Sequence, residues 1–382
     1  MRLEEFLSSK PLFYKEFDPT RMQKAYNQVK AALPSPRIVH LIGTNGKGST
    51  GRYLAQMLSL VGLSVGHYTS PHILQFNERI WIDNAIASDR VLDEAFDKLM
   101  GVLDIKWQES LSYFESTTLV AMMAFEKCDI VVLEAGLGGE DDATSVFENE
   151  LTLLTPIGLD HADFLGDTLS EVAGSKIRGI QKAVISAVQK EEVNHVLKEE
   201  SFKRGFTIHK LELSKEDEKE VRYFENRGIA DYLVANFSLA LCAFRYLGLE
   251  DKVESQALTT LFGRLTSLDN NLIVDVGHNI LAAQAILSFY GKTKVNLVYN
   301  TLADKEYEKI LKLLKPIISK VSIIDIDDDR AVEKEILQIT LEKLDIKYET
   351  FSEVEKDCKT LVFGSFTVVE AFLKKRNISI DQ

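Results

Sequence analysis

The stretch HLIGTNGKGST, residues 40–50, decides how the rest of the chain reads. It approaches the phosphate-loop pattern G-x-x-x-x-G-K-[ST], in which glycines let backbone N–H groups converge on a phosphate while a lysine and a hydroxyl follow. Here Gly46-Lys47 is followed by Gly48, and the hydroxyls arrive one place late, at Ser49 and Thr50. The apolar run RIVHLIG (37–43) precedes the loop and reads as a strand. GSTGRYLAQMLSLVG (48–62) follows it and puts Tyr53, Leu54, Met57, Leu58 and Val61 on one helical face. A strand, a glycine loop and a helix start form the setting a phosphate cradle needs, because the helix N-terminus adds partial positive charge. The plainer alternative is a turn that uses glycine only for positive φ. Lys47 within the loop, with two hydroxyls at the helix start, favours the cradle.

Working outward, short apolar runs recur: LSVGHYTS (63–70), DIVVLEAGLGG (129–139) and LTLLTPIG (151–158), with helical stretches such as STTLVAMMAFEKC (116–128) between them. Strands buried on both faces that alternate with helices indicate parallel α/β architecture. Near residue 263 the pattern restarts. NLIVDVG, LVYN, VSIIDID, KYETF and TLVFG read as strands, separated by helical stretches near 279–290, 304–316, 332–344 and 366–375. The expected organisation is therefore α/β: a phosphate-loop nucleotide-binding domain with a mainly parallel sheet over residues 1–262, then a smaller Rossmann-like α/β domain over 263–382. Residues 1–36 read as a helical lead-in. The charged stretch ELSKEDEKEVR (212–222) reads as a solvated insertion or hairpin loop.

A length of 382 residues and a hydrophobic fraction of 45% suit two domains with substantial cores. The net charge of −13 argues against nucleic acid or an anionic membrane as a partner. A single site can still be locally positive and take a small anion. Cys128, Cys242 and Cys358 lie far apart and give neither a disulfide framework nor metal spacing. Reduced thiols, an N-terminus without a long apolar run and no segment of about 20 apolar residues lead to the expectation of a cytoplasmic protein. Small-molecule substrates and a monomeric state are expected.

Three more constellations fall after strands, where a parallel sheet delivers its ligand-binding edge. Thr69-Ser70-Pro71-His72 follows the second run, and taken alone a plain turn suits it better. Glu134 ends the run IVVL before AGLGG. A carboxylate there is costly unless paired or bound to a cation, which makes it a candidate Mg²⁺ ligand. Asp160-His161 follows the fourth run, and a structural and a functional histidine are equally compatible with that placement.

Together these blocks resemble folylpolyglutamate synthase and the bifunctional dihydrofolate synthase, members of the Mur-ligase superfamily. The likeness rests on GTNGKGST (43–50), YTSPHILQFNERI (68–80), FESTTLVAMMAF (114–125), EAGLGGEDDATSV (134–146) and IGLDHADFLGDTLSEVAGSKIRGI (157–180). VANFSLAL (234–241), GRL (263–265), VDVGHN (274–279) and ADK (303–305) continue it over nearly the whole chain. The family's loop reads G-T-N-G-K-G-S, so the late hydroxyl is its own spelling.

The resemblance implies an ATP-dependent ligase that adds L-glutamate to dihydropteroate, to reduced folates, or to both, through an acyl phosphate. It implies that Asn45, Gly46, Lys47, Gly48, Ser49 and Thr50 cradle ATP. Asn236 would lie at the adenine region, and Arg264 and Asp275 of the second domain would reach the nucleotide. Ser70, Glu134, His161 and a carbamylated Lys176 match metal-ligand positions for two Mg²⁺ ions, with Lys47, Lys176 and His161 in catalytic roles. His72, Phe114, Glu115, Asp142 and His278 are candidate substrate contacts. Without the family, Lys176 would be read as an exposed helical lysine, and Asn279 as a helix cap.

The chain departs from the family at Glu140-Asp141-Asp142, where relatives often carry an arginine after GLGG, and in the H-Q-x-x-N block around Asn236, here Leu233-Val234-Ala235-Asn236-Phe237, which lacks both the His and the Gln. Thr266 stands where G-R-x-E has glutamate. Two alternatives are another Mur-type amino-acid ligase, for which residues 1–36 are too short to form a UDP-substrate domain, and a nucleotide-sensing ATPase without ligase activity.

Overall fold

A computed structural model describes residues 2–11, 18–160, 165–355 and 357–380. The chain divides into two compact units, Met1–Asn226 with Ala235–Thr259, and Arg227–Val234 with Thr260–Gln382. Among the described residues, no helix is long and apolar enough to cross a membrane.

The first unit is built on an eight-stranded sheet in the order β4-β3-β2-β5-β1-β6-β7-β8. Its strands are β1 (Arg37–Ile42), β2 (Val65–Tyr68), β3 (Ile80–Ile82), β4 (Ala85–Ile86), β5 (Ile130–Glu134), β6 (Leu151–Leu154), β7 (Ala183–Ser186) and β8 (Thr207–His209). From β2 to β8 across the sheet all neighbours are parallel, whereas β3 and β4 pair antiparallel at one edge. That edge is a tight hairpin. Asp83 and Asn84 both have positive φ, 46° and 70°, as a two-residue primed turn demands. The four central runs read from sequence are β1, β2, β5 and β6. β7, β8 and the hairpin were not read; β8 and the hairpin strands are only two or three residues long and carry little periodic signal.

The chain runs from β1 out to β2, returns through β5, then continues through β6, β7 and β8 on the other side. The reversal falls at β1, where open parallel sheets place their crevice. The helix Lys47–Leu60 leaves this point, and every residue from Lys47 to Leu58 is buried. The expected one-sided apolar face is therefore only part of a helix sunk in the unit. The lead-in forms the helices Leu3–Ser8 and Arg21–Val29, whose Phe6, Met22 and Val29 join Phe96, Leu119 and Leu133 in one core cluster.

The stretch 212–222 is not the solvated loop expected from its charge. Lys215–Glu225 is a helix, opened by a Ser214–Asp217 capping box. Asp217 is 2% exposed and takes a two-pronged ion pair from Arg245, at 2.7 and 3.0 Å. The arginine comes from the helix Asp231–Tyr246, a contact no local pattern announces.

The second unit has a six-stranded sheet in the order β13-β12-β11-β14-β10-β9. Its strands are β9 (Thr266–Asp269), β10 (Leu272–Asp275), β11 (Val295–Tyr299), β12 (Ile318–Ile323), β13 (Tyr348–Thr350) and β14 (Thr360–Phe363). All pairs are parallel except β9 with β10. The helices Ile280–Tyr290, Tyr307–Leu314, Lys334–Lys343 and Phe366–Lys375 fall on the four stretches read as helical. Asn279 caps the first of them by accepting from the Ala282 N–H at 3.0 Å.

Candidate active site

The loop after β1 takes its shape from two glycines. Gly43 has φ +140°, and a Cβ there would come within 2.1 Å of Thr155 Oγ1. Gly46 has φ +91°, and its Cβ would come within 2.5 Å of Asn236 Oδ1. The loop is then stitched to the chain leaving β6. Thr44 and Asn45 N–H donate to the Pro156 carbonyl at 3.0 and 3.3 Å. Thr44 Oγ1 donates to Gly158 O at 3.0 Å. The helix begins at Lys47 with no side-chain cap, so its first amides have no intrahelical carbonyl to bond. Ser49 Oγ, Thr50 Oγ1 and Asn236 Nδ2 are buried with no hydrogen-bond partner among the described residues. Three orphaned polar groups around an uncapped helix start suit a bound phosphate chain, which would satisfy them.

Lys47 is buried and donates to its own loop, to Gly43 O at 3.1 Å and Thr44 O at 3.4 Å. Its Nζ lies 4.0 Å from Glu134 Oε1. Glu134, 5% exposed at the end of β5, stands beside Leu41 of β1 in the parallel register. Its Oε2 accepts from Thr69 Oγ1 and from the Ser70 N–H, the latter at 3.3 Å. The turn after β2 and the end of β5 therefore meet at one carboxylate.

Lys176 overturns its sequence reading as an exposed lysine. It is 2% exposed in the helix Leu169–Ile177, and its Nζ donates to Leu137 O of the glycine-rich turn. Burial pushes the amine down to about 7, Lys47 pushes the same way, and Asp142 and Asp160 oppose. The helix starts with a Thr168–Glu171 capping box, and one face packs Val172, Ala173 and Ile177 into a second core cluster. That packing turns Lys176 inward. His161 lies outside the described residues.

Lys47, Ser70, Glu134 and Lys176 thus gather at the C-terminal ends of β1, β2 and β5. No group of three or more His, Cys, Asp or Glu side chains suited to a metal occurs among the described residues. The oxygen donors that are present, the buried Glu134 carboxylate with Thr69 and Ser70 beside it, match a hard cation that prefers oxygen.

Of the other substrate candidates, His72 accepts at Nδ1 from Arg79 Nε at 2.8 Å, and burial together with Arg79 pushes it down to about 3. It is a neutral ring. Phe114 lies 5.9 Å from Tyr68, ring to ring. Glu115 has its carboxylate engaged, capping its own helix at Ser112 N (2.9 Å) and pairing with Arg21 (3.2 Å). Asp142 accepts from Thr144 N, Thr144 Oγ1 and Gly138 N, at 3.0, 2.6 and 3.0 Å. Thr144 Oγ1 also meets Nε2 of the buried His40, at 2.8 Å. Asp142 thereby folds the turn against which Lys176 rests. Glu140 pairs with Arg178. Sequence reasoning passed over Thr69 and Arg79 as site residues, although both lie inside the quoted block 68–80.

In the second unit, Asp275 ends β10 and is buried. It accepts from Leu265 N (2.9 Å), Gly277 N (2.8 Å) and Tyr232 Oη (3.1 Å). Burial raises its pKa, and Arg264 acts against that rise. Arg264 stacks over Phe366 at 5.2 Å. His278 Nδ1 lies 3.2 Å from Val276 O.

No family model matches the chain. Among curated proteins it is 29% identical to the dihydrofolate synthase/folylpolyglutamate synthase of Haemophilus influenzae, over 92% of each chain. Among solved structures, the folylpolyglutamate synthetase of Helicobacter pylori is 34% identical over 98% of each chain, with a TM-score of 0.78. The bifunctional folylpolyglutamate synthase/dihydrofolate synthase of Yersinia pestis, complexed with AMPPNP and Mn ion, shares the fold. It has a TM-score of 0.81 at 24% identity, over 98% of this chain and 97% of that one.

Proposed function

This chain belongs to the folylpolyglutamate synthase and dihydrofolate synthase family, and we propose on that basis that it joins L-glutamate to dihydropteroate or a reduced folate at the expense of ATP. The observation that carries the reading is the meeting of Lys47, Ser70, Glu134 and Lys176 at the ends of adjoining parallel strands, beside an uncapped helix start.

The chemistry requires two displacements. A carboxylate oxygen of the acceptor attacks the γ-phosphorus, the β–γ P–O bond breaks, and ADP leaves. The glutamate amine then attacks the acyl carbon. A C–N bond forms, the C–O bond to phosphate breaks, and the nitrogen loses a proton. Phosphorylation is needed because a carboxylate has no leaving group. Such a site works mainly by placing reactants and offsetting charge.

Lys47 changes partners in this scheme. It leaves the carbonyls of Gly43 and Thr44 for the phosphate oxygens, and remains within reach of Glu134. Backbone amides of the helix start, with Ser49, Thr50 and Asn236, bind the remaining phosphate and nucleotide groups. Ser70, Glu134, His161 and Lys176 would hold Mg²⁺, with two ions proposed. The metal would neutralise charge on the phosphoryl group in transfer. Lys176 would act as a carbamate, formed when its neutral amine adds to CO₂ and loses a proton. Its low pKa and inward placement support this, since only the unprotonated amine is nucleophilic.

The deciding experiment is phosphate release measured with ATP and glutamate, with dihydropteroate and tetrahydrofolate offered separately. Glutamate-dependent release with at least one acceptor is expected. Release with neither defeats the reading.

A further inference from the structure

Buried cations are ordinarily matched by anions, because an unmatched charge away from water is costly. Two arginines of the first unit have no such match among the described residues, and they differ in kind. Arg52 lies within the core, 5.0 Å over Trp81 and 3.3 Å from His67 Nδ1, with one terminal nitrogen sealed in and partnerless. Arg79 is 8% exposed, and its terminal nitrogens are not among the sealed, partnerless atoms, so they reach solvent.

The surroundings of Arg79 are built to hold it and to leave its charge unspent. His72 Nδ1 accepts from its Nε at 2.8 Å and fixes the guanidinium plane. The Tyr113 ring lies 5.3 Å from its Cζ, and Phe76 stands edge-on to Tyr113 at 6.4 Å. The acids nearby are committed elsewhere. Glu78, its neighbour in sequence, accepts from the amides of Ile73, Leu74 and Gln75 at 2.8, 2.7 and 2.7 Å. Glu115 is taken by Arg21 and the helix start. Glu134 is bound by Thr69 and Ser70. The backbone ties Arg79 to the reaction centre, because its carbonyl accepts from Thr69 N at 2.9 Å, and the hydroxyl of that same Thr69 holds Glu134.

We propose that Arg79 is the anchor for the carboxylate end of the acceptor, with His72 and Tyr113 as the residues that position it. The inference rests on the ligase reading above. The reaction must bring a carboxylate anion to a triphosphate, and the two repel. A guanidinium without a counter-anion offsets that repulsion, and its planar fork matches a carboxylate in two hydrogen bonds. The aromatic wall of Tyr113 and Phe76 beside it fits an aryl carboxylate rather than an aliphatic one.

The test compares an acid with its neutral counterpart. Binding of dihydropteroate and of its carboxamide is measured by calorimetry on the full chain without nucleotide. The wild type is expected to prefer the acid by on the order of tenfold or more, as for a charge-assisted pair. R79Q is expected to bind acid and amide equally. R79M, which keeps the packing on Tyr113, is expected to do the same and serves if R79Q is unstable. A wild type without acid preference, or a variant that retains it, overturns the assignment. These outcomes are separable from failure of the ligase reading, in which the wild type gives no glutamate-dependent phosphate release with either acceptor.

Discussion

Lys47 Nζ and Glu134 Oε1 stand 4.0 Å apart, both side chains nearly closed off from water, at the ends of adjacent parallel strands. The loop lysine is therefore held over the buried acid before any ligand arrives. Thr69 and Ser70 also bind Glu134, so the carboxylate does not depend on Lys47 alone.

Replacing Lys47 with alanine is expected to lower kcat/KM by on the order of a thousandfold or more, the scale seen when a preorganised charge at a phosphoryl-transfer centre is removed. The melting temperature should fall by only a few degrees, because Glu134 keeps its other donors. Steady-state kinetics and a thermal melt check both. Normal turnover in K47A would remove the loop from the site.

Gly46→Ala adds a Cβ at φ +91° and 2.5 Å from Asn236 Oδ1. The backbone term alone costs about 1–2 kcal/mol. Nucleotide affinity is expected to fall at least tenfold, read by ATP titration. In the background of N236A the side-chain clash is gone but φ is unchanged. Part of the stability should return without the affinity.

Lys176→Met carries a pH signature. The amine titrates at about 7 in the folded state, against roughly 10.4 in the unfolded chain. Between these values the unfolded chain binds the extra proton, so wild-type stability rises with pH across that window. At pH 7 the buried lysine costs on the order of a few kcal/mol. K176M is expected to be the more stable protein at pH 7, with an advantage that shrinks toward pH 10. Melts in CO₂-free buffer at both values measure it. An advantage independent of pH would contradict the buried neutral amine.

Activity of Lys176→Ala is expected to be weak and partly restored by short carboxylic acids, which supply the oxygen of the proposed carbamate. Wild-type rates in K176A, with or without added acid, would take Lys176 out of the reaction.

Asp217→Ala tests the helical insertion. It leaves Arg245 without the carboxylate it holds at 2.7 Å. Loss of a buried partner typically costs about 3–5 kcal/mol. A chemical denaturation midpoint lowered to that extent is expected, with nucleotide affinity unchanged. A change within about 0.5 kcal/mol would show the pair to be a surface decoration.

Some of this was legible in residue order alone. The strand–loop–helix at 37–60, the late hydroxyls at Ser49 and Thr50, the four helices of the second unit and the Asn279 cap all depend on neighbours within a few positions. Local spacing sets backbone conformation there, and local spacing is what a sequence displays. The capping box at Ser214 and Asp217 was equally local, yet the density of charge around it concealed a helix with a buried face. Tertiary structure decided the rest. Lys176 faces inward because its helix packs the Val172 face, Arg79 is unmatched because Glu115 and Glu134 are bound by distant groups, and Asn236 meets Gly46 across 190 positions of chain. A charge's partners and its exposure to water are properties of three-dimensional neighbourhood, and those set whether a lysine is a surface ornament or a nucleophile.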